Sequence, residues 1–170
     1  MKLLLYVRAV FLMIYLVLHT LVMSILCIVV NLIFNKRSFD EFIMKLWAKP
    51  FLFLSGVTVE VRGEERLPDK GFIYLFNHSS HMDILIIYGA LKRMPRFGAK
   101  IELFKIPFFG FAMKRAGVLP IARQNREKVL QIYKEAEVRL DRGESFALAP
   151  EGTRQEERAI GRFKTGPFIF

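Results

Sequence analysis

Apolar residues dominate the start of the chain. Residues 9–34 contain no Asp, Glu, Lys or Arg, and the run predicts a membrane-embedded helical segment. At about 1.5 Å per residue it reaches ~39 Å, enough for the hydrocarbon core of a bilayer. It exceeds the apolar core of a secretory signal, about 7–15 residues, and no small-residue cleavage pattern follows. Lys2 and Arg8 precede it and Lys36 and Arg37 follow it, so the distribution of basic residues assigns no orientation. His19, Thr20, Ser24 and Asn31 interrupt the run, which leaves a full span and a hairpin in one leaflet both open. The period then changes. Phe39, Phe42, Ile43, Leu46 and Trp47 recur at helical spacing beside Lys45 and Lys49, predicting an amphipathic helix over 37–50. Trp47 suits either the membrane interface or the surface of a domain.

Beyond residue 50 strands and helices alternate. Val57, Val59 and Val61 take every second position, the pattern of a half-buried strand over 57–63. A charged turn with Pro68 and Gly71 follows, then an apolar strand over 72–76. A helix to about Lys92 leads to a short strand over 97–100. Residues 101–116 mix apolar and basic side chains around Pro107 and Gly110, which argues against one straight helix. A strand over 118–122 carries Pro120, a residue of strand edges, bulges and ends. The clearest helix covers 124–141, with Val129, Ile132, Tyr133, Ala136 and Leu140 on one stripe and Arg142-Gly143 closing it. A buried strand over 145–149 runs into Pro150. This order predicts an α/β domain, a central mixed or mainly parallel sheet flanked by helices, over 51–170. Residues 1–50 form the membrane-embedded helical segment before it. Residues 164–170 read as the opening of another element, so the expected protein continues beyond Phe170.

Composition narrows the partners. The 170 residues suit one domain, and 53% hydrophobic content is ample for its core. A formal net charge of +10 favours an anionic partner or surface: phospholipid, phosphorylated substrate, coenzyme or nucleic acid. One cysteine excludes an intrachain disulfide and a multi-cysteine zinc site.

The chemistry-bearing stretch is a polar hinge, residues 77–83, between two apolar runs. His78 and Asp83 would sit about 140° apart on a continuous helix. They meet if His78 lies just ahead of a helix and Asp83 in its first turn, the geometry of a base oriented by an acid. Three other readings stand beside this one. Ser80 and Asp83 fit a loose capping box. His78, His81 and Asp83 resemble a run of metal ligands, with no third histidine outside the apolar stretch to complete it, so no metal is expected. Ser79 or Ser80 as nucleophile lacks the G-x-S-x-G elbow. A second polar group, Glu151-Gly152-Thr153-Arg154, directly follows a strand, where a backbone turn can bind an anion. Gly152 tolerates positive φ, Thr153 offers a hydroxyl and Arg154 a planar fork matched to phosphate. On this motif alone, an ordinary turn with a solvated arginine is the favoured reading. Arg123 and Lys100 also close predicted strands, so parallel strands would bring all these ends to one rim with His78.

Together these segments resemble the glycerolipid acyltransferase family, closest to its lysophosphatidic acid (1-acylglycerol-3-phosphate) acyltransferases. Asn77, His78 and Asp83 match the family's His-x4-Asp signature. Ala99-Lys100-Ile101-Glu102-Leu103 with Pro107 and Gly110, then Gly117 through Arg123, then Pro150 through Arg154, are similar to its next blocks. Lys164-Thr165-Gly166 is similar to its Lys-x-Gly pattern, and Ala149 stands where the family commonly has Phe. The resemblance implies transfer of a fatty acyl group from an acyl thioester, on coenzyme A or acyl carrier protein, to the free hydroxyl of lysophosphatidic acid. It implies His78 as base, Asp83 as its partner, and no cofactor. Glu151, Gly152, Thr153 and Arg154 would bind the acceptor, with Arg154 on its phosphate and Arg123 and Lys100 as secondary candidates. Membrane phospholipids are the expected surroundings, with the site on the cytoplasmic side. Other readings are a different lysophospholipid acceptor, a non-catalytic membrane-anchored lipid binder, and a nucleic-acid binder, for which the sequence carries no motif.

Overall fold

The computed structural model describes residues 2–34, 36–122, 124–154, 160–165 and 168, with Arg37 and Ser38 as backbone only. Helix α1, Lys2–Ile33, covers all of the apolar run but Phe34, and helix α2, Arg37–Ser55, returns antiparallel along it. The antiparallel sense shows in two contacts. Arg8 donates to the Leu54 carbonyl at one end, and Asn31 donates to Asp40 at the other.

Helix α2 runs past the expected stop at Pro50. Proline lacks the N–H that would bond the carbonyl four residues back, that of Leu46. His19 of α1 supplies the missing donor, its Nε2 lying 3.2 Å from the Leu46 oxygen. The helix ends instead at Gly56, whose φ of 68° closes the last turn. A domain boundary at residue 50 therefore falls inside α2. Ala48, Phe51 and Leu52 of α2 share one buried cluster with residues of the α/β domain.

That domain is built on four strands: β1 (Ile73–Leu75), β2 (Arg96–Lys100), β3 (Leu119–Ile121) and β4 (Phe146–Leu148). They pair in parallel, in the order β1-β4-β2-β3. Helix α3 (Asp83–Ala90) connects β1 to β2. A short 3-10 helix (Ile101–Lys105) and α4 (Phe109–Arg115) lead to β3, and α5 (Arg126–Asp141) crosses to β4. Pro120 lies in β3, an edge strand, where a missing donor is tolerated.

Successive residues of a strand face opposite sides, and β4 uses this to join two cores. Ala147 packs under α2 and α3 with Leu85, Tyr88 and Phe97, while Phe146 packs with Leu119 and Ala136 beneath α5. Asn125 caps α5, its side chain accepting from the Lys128 N–H at 3.0 Å. Gly89 lets α3 lie close to α2: a Cβ there would sit 2.6 Å from a Leu52 methyl.

The strand expected over 57–63 does not form. Residues 57–62 are irregular, Val59 and Val61 are exposed, and no strand among the described residues pairs with them. Alternation marks a two-faced segment, but a strand also needs a neighbour to complete its hydrogen bonds. Trp47 takes the inner of its two expected places, edge-on to Tyr88 with its N–H donating to Thr20 at 2.9 Å.

Candidate active site

Because every pair is parallel, all four strands end at one rim, the position where sheets of this kind carry their sites. The chain leaves β1 through Phe76, crosses the hinge and starts α3 at Asp83. His78 thus precedes the helix and Asp83 opens it. His78 Nδ1 lies 2.8 Å from Asp83 Oδ2. A carboxylate only accepts, so Nδ1 carries the proton and Nε2 is the free basic nitrogen. The same Oδ2 accepts the backbone N–H groups of Ser79 and Ser80, each at 3.0 Å. Asp83 therefore caps the hinge and orients the imidazole with one oxygen. Ser80 Oγ accepts the Met82 N–H at 3.1 Å, which ties it to the turn. His81 is exposed, and no group of three His, Cys, Asp or Glu side chains among the described residues is arranged to hold a metal.

His78 lines a cavity of about 340 Å³ at the rim, its imidazole edge-on to Phe76. Gly98, Ile121, Ala149, Gly152 and Lys164 contribute to the walls. Gly98 keeps the floor open, since a Cβ there would meet Ile121 at 2.9 Å. Tyr133 of α5 closes one side, and burial pushes its phenol above the ordinary value. A second, more apolar cavity of about 150 Å³ lies between α1, α2 and α4. Ile84 and Phe97 line both, so the two spaces share a wall just behind the His–Asp pair.

The anion-binding candidates separate in the structure. Gly152 takes φ 71° and lines the cavity, with the Lys164 side chain lying across it. Thr153 and Arg154 are exposed beyond the turn, and Lys100 is exposed at the end of β2. Arg123 lies outside the described residues. Glu151 turns inward and is only 3% exposed. Its carboxylate accepts the Gly161 N–H at 3.1 Å and the Asn77 amide at 3.5 Å. It therefore holds the residue before His78 against the segment that leads to Lys164. Lys164 is the one Lys or Arg among the described residues on the cavity wall. Its only signal in the sequence was the Lys-x-Gly block.

Known proteins resemble this chain in sequence and in fold. Residues 58–170 match the family model described as Acyltransferase. The chain is 34% identical over 135 residues to the chloroplastic 1-acyl-sn-glycerol-3-phosphate acyltransferase of Arabidopsis thaliana, covering 78% of this chain and 37% of that protein. It is 29% identical to the 1-acyl-sn-glycerol-3-phosphate acyltransferase of Pseudomonas aeruginosa (76% and 52% covered). It is 31% identical to that of Haemophilus influenzae (85% and 64% covered). The chain thus spans between about a third and two thirds of the length of these relatives. The crystal structure of the 1-acyl-sn-glycerophosphate (LPA) acyltransferase PlsC from Thermotoga maritima superimposes with a TM-score of 0.80 at 24% identity, covering 99% of this chain and 69% of that one. That likeness shows a common fold.

Proposed function

The chain belongs to the acyltransferase family, and on that premise we propose that it acylates lysophosphatidic acid from an acyl thioester, forming phosphatidic acid for phospholipid synthesis. The observation that carries this reading is the 2.8 Å contact between His78 Nδ1 and Asp83 Oδ2, which leaves Nε2 basic at the cavity wall. The acceptor hydroxyl gives its proton to His78 Nε2 as its oxygen bonds to the thioester carbon. The tetrahedral centre then expels the thiolate, and the proton passes from the imidazolium to the departing sulfur. Asp83 holds the tautomer and stabilises the imidazolium between these steps. The acceptor is itself the nucleophile, so no acyl-enzyme forms and no activated serine is needed.

The Ser79 and Ser80 amides are committed to Asp83, so stabilisation of the oxyanion falls to other groups. Lys164 is suitably placed for that charge or for the acceptor phosphate, which Arg154 and Lys100 would meet from the rim. The apolar cavity behind Ile84 and Phe97 offers the acyl chain a dry space that continues toward α1. The donor carrier is coenzyme A or acyl carrier protein, both of which place the active rim on the cytoplasmic face. The test is acylation of lysophosphatidic acid by a His78→Ala variant shown to be folded by its thermal melt. Loss of transfer is expected; turnover near that of the parent would overturn the mechanism.

A further inference from the structure

From the end of β2 into α4 the chain places large apolar side chains in solvent. Leu103, Ile106, Phe108 and Phe111 fall within nine residues and are each more than a third exposed, Ile106 by 46% and Phe108 by 49%. Elsewhere among the described residues of the α/β domain Leu75, Leu130 and Val138 are exposed singly, which is ordinary for a soluble surface, while Val59 and Val61 are exposed in an irregular segment and Ile160, Phe163 and Phe168 near the end of the sequence. This segment is held firmly. Gly110 packs on the Phe104 carbonyl, which a Cβ would approach to 2.2 Å. The same turn sets Phe108 at φ 61°, the one described non-glycine residue with positive φ. A phenylalanine turned to solvent leaves apolar surface in water that an apolar partner would bury.

We propose that residues 101–111 form a second membrane contact, whose apolar side chains enter the headgroup region of an anionic bilayer beside α1. Two observations select that occupant. The segment is continuous with the lipid-facing helix: α4 packs on α1, and Leu103 shares the apolar cavity with Met23 and Cys27 of α1. On that stretch of α1, Val22, Ile25 and Val29 are themselves exposed. The apolar set is also flanked by exposed Lys105 and Lys114, with Glu102 the one acid in 101–115, the pattern that matches anionic headgroups. The surface fixes the tilt of the domain on the membrane, which one helix pair alone leaves free to rotate. It stands independently of the acyl-transfer reading, because nothing in it requires chemistry.

The test uses a Cys27→Ser background with a single reporter cysteine, Ile106→Cys, carrying an environment-sensitive fluorophore. Val10→Cys on α1 and Lys134→Cys on α5 serve as lipid-facing and water-facing references. Phe108→Cys repeats the measurement at a second position if the first variant folds poorly. In vesicles of phosphatidylglycerol and phosphatidylethanolamine, quenching by nitroxide lipids should be several-fold stronger at 106 than at 134, and should fall in phosphatidylcholine vesicles while position 10 stays quenched. Iodide quenching at 106 equal to that at 134 would overturn the proposal. Shielding from both quenchers would overturn it too, since a second copy or another protein segment would then cover the patch. Equal lipid quenching in phosphatidylcholine would overturn the assignment to anionic headgroups.

Discussion

Asp83 uses one oxygen for three donors, and two of them are backbone amides. Asp83→Asn removes the charge and favours the wrong tautomer. Its expected loss in acyl transfer is about 10²–10⁴-fold, the usual worth of a positioned base. The double variant with His78→Ala should be little slower than His78→Ala alone, because the two act as a unit. On the proposed reading Arg154 serves acceptor binding instead. Arg154→Ala should raise the KM for lysophosphatidic acid roughly 10-fold or more, as a lost charge-assisted bond to phosphate does. An equal loss with a phosphate-free monoacylglycerol would assign it another role. Tyr88 affects stability instead. Its hydroxyl is buried with no hydrogen-bond partner among the described residues, and desolvation raises its pKa well above the ordinary 10.0. Below pH 10 both states keep the proton. Above it the unfolded chain ionises first, so stability falls as pH rises. Tyr88→Phe should flatten that alkaline decline in melting temperature and add about 1 kcal/mol at neutral pH. Tyr133 and Tyr74, shifted in the same direction, keep some slope. The His–Asp pair was legible in the sequence because it is local, five positions across one hinge. The inward turn of Glu151 was not, because Asn77, which it holds, lies 74 residues away.

At the scale of elements, what the sequence showed depended on where each hydrogen bond finds its partner. Helix α5 carries its own cap and stripe, and it forms within two residues of its expected start. Pro50 appeared to end a helix because a proline deprives the carbonyl four residues earlier of its donor. The replacement comes from His19, on another helix and 27 residues from Leu46. A cycle measures this repair. His19→Ala should cost about 1 kcal/mol with Pro50 in place and less in a Pro50→Ala background, where residue 50 regains its own N–H. Equal costs in both backgrounds would mean that His19 acts only through its stacking on Tyr15. The α2–α3 contact has no such reserve. Gly89→Val should destabilise by about 1–3 kcal/mol, read from denaturant melts, because the added methyls meet Leu52 within a filled core.

For the whole molecule, the helix pair proposed as the membrane anchor is also part of the core. Removing residues 1–34 should shift the protein toward the soluble fraction, since α1 carries the long apolar surface. The remaining lipid binding should be sensitive to salt, as an electrostatic contact through residues 101–111 requires. Binding unchanged in amount and in salt response would place the anchor elsewhere. The join between anchor and domain also imposes an order in time. Asp40 lies buried in α2, held by Asn31 and Cys27 of α1, and its counter-charge is Arg115 of α4 at 3.3 Å, 75 residues further along the chain. A ribosome making this protein completes both anchor helices long before it supplies that arginine. During the interval Asp40 has the donors of α1 but not the counter-charge of α4. The ion pair that ties α2 to α4 therefore closes only after the chain has been made as far as α4.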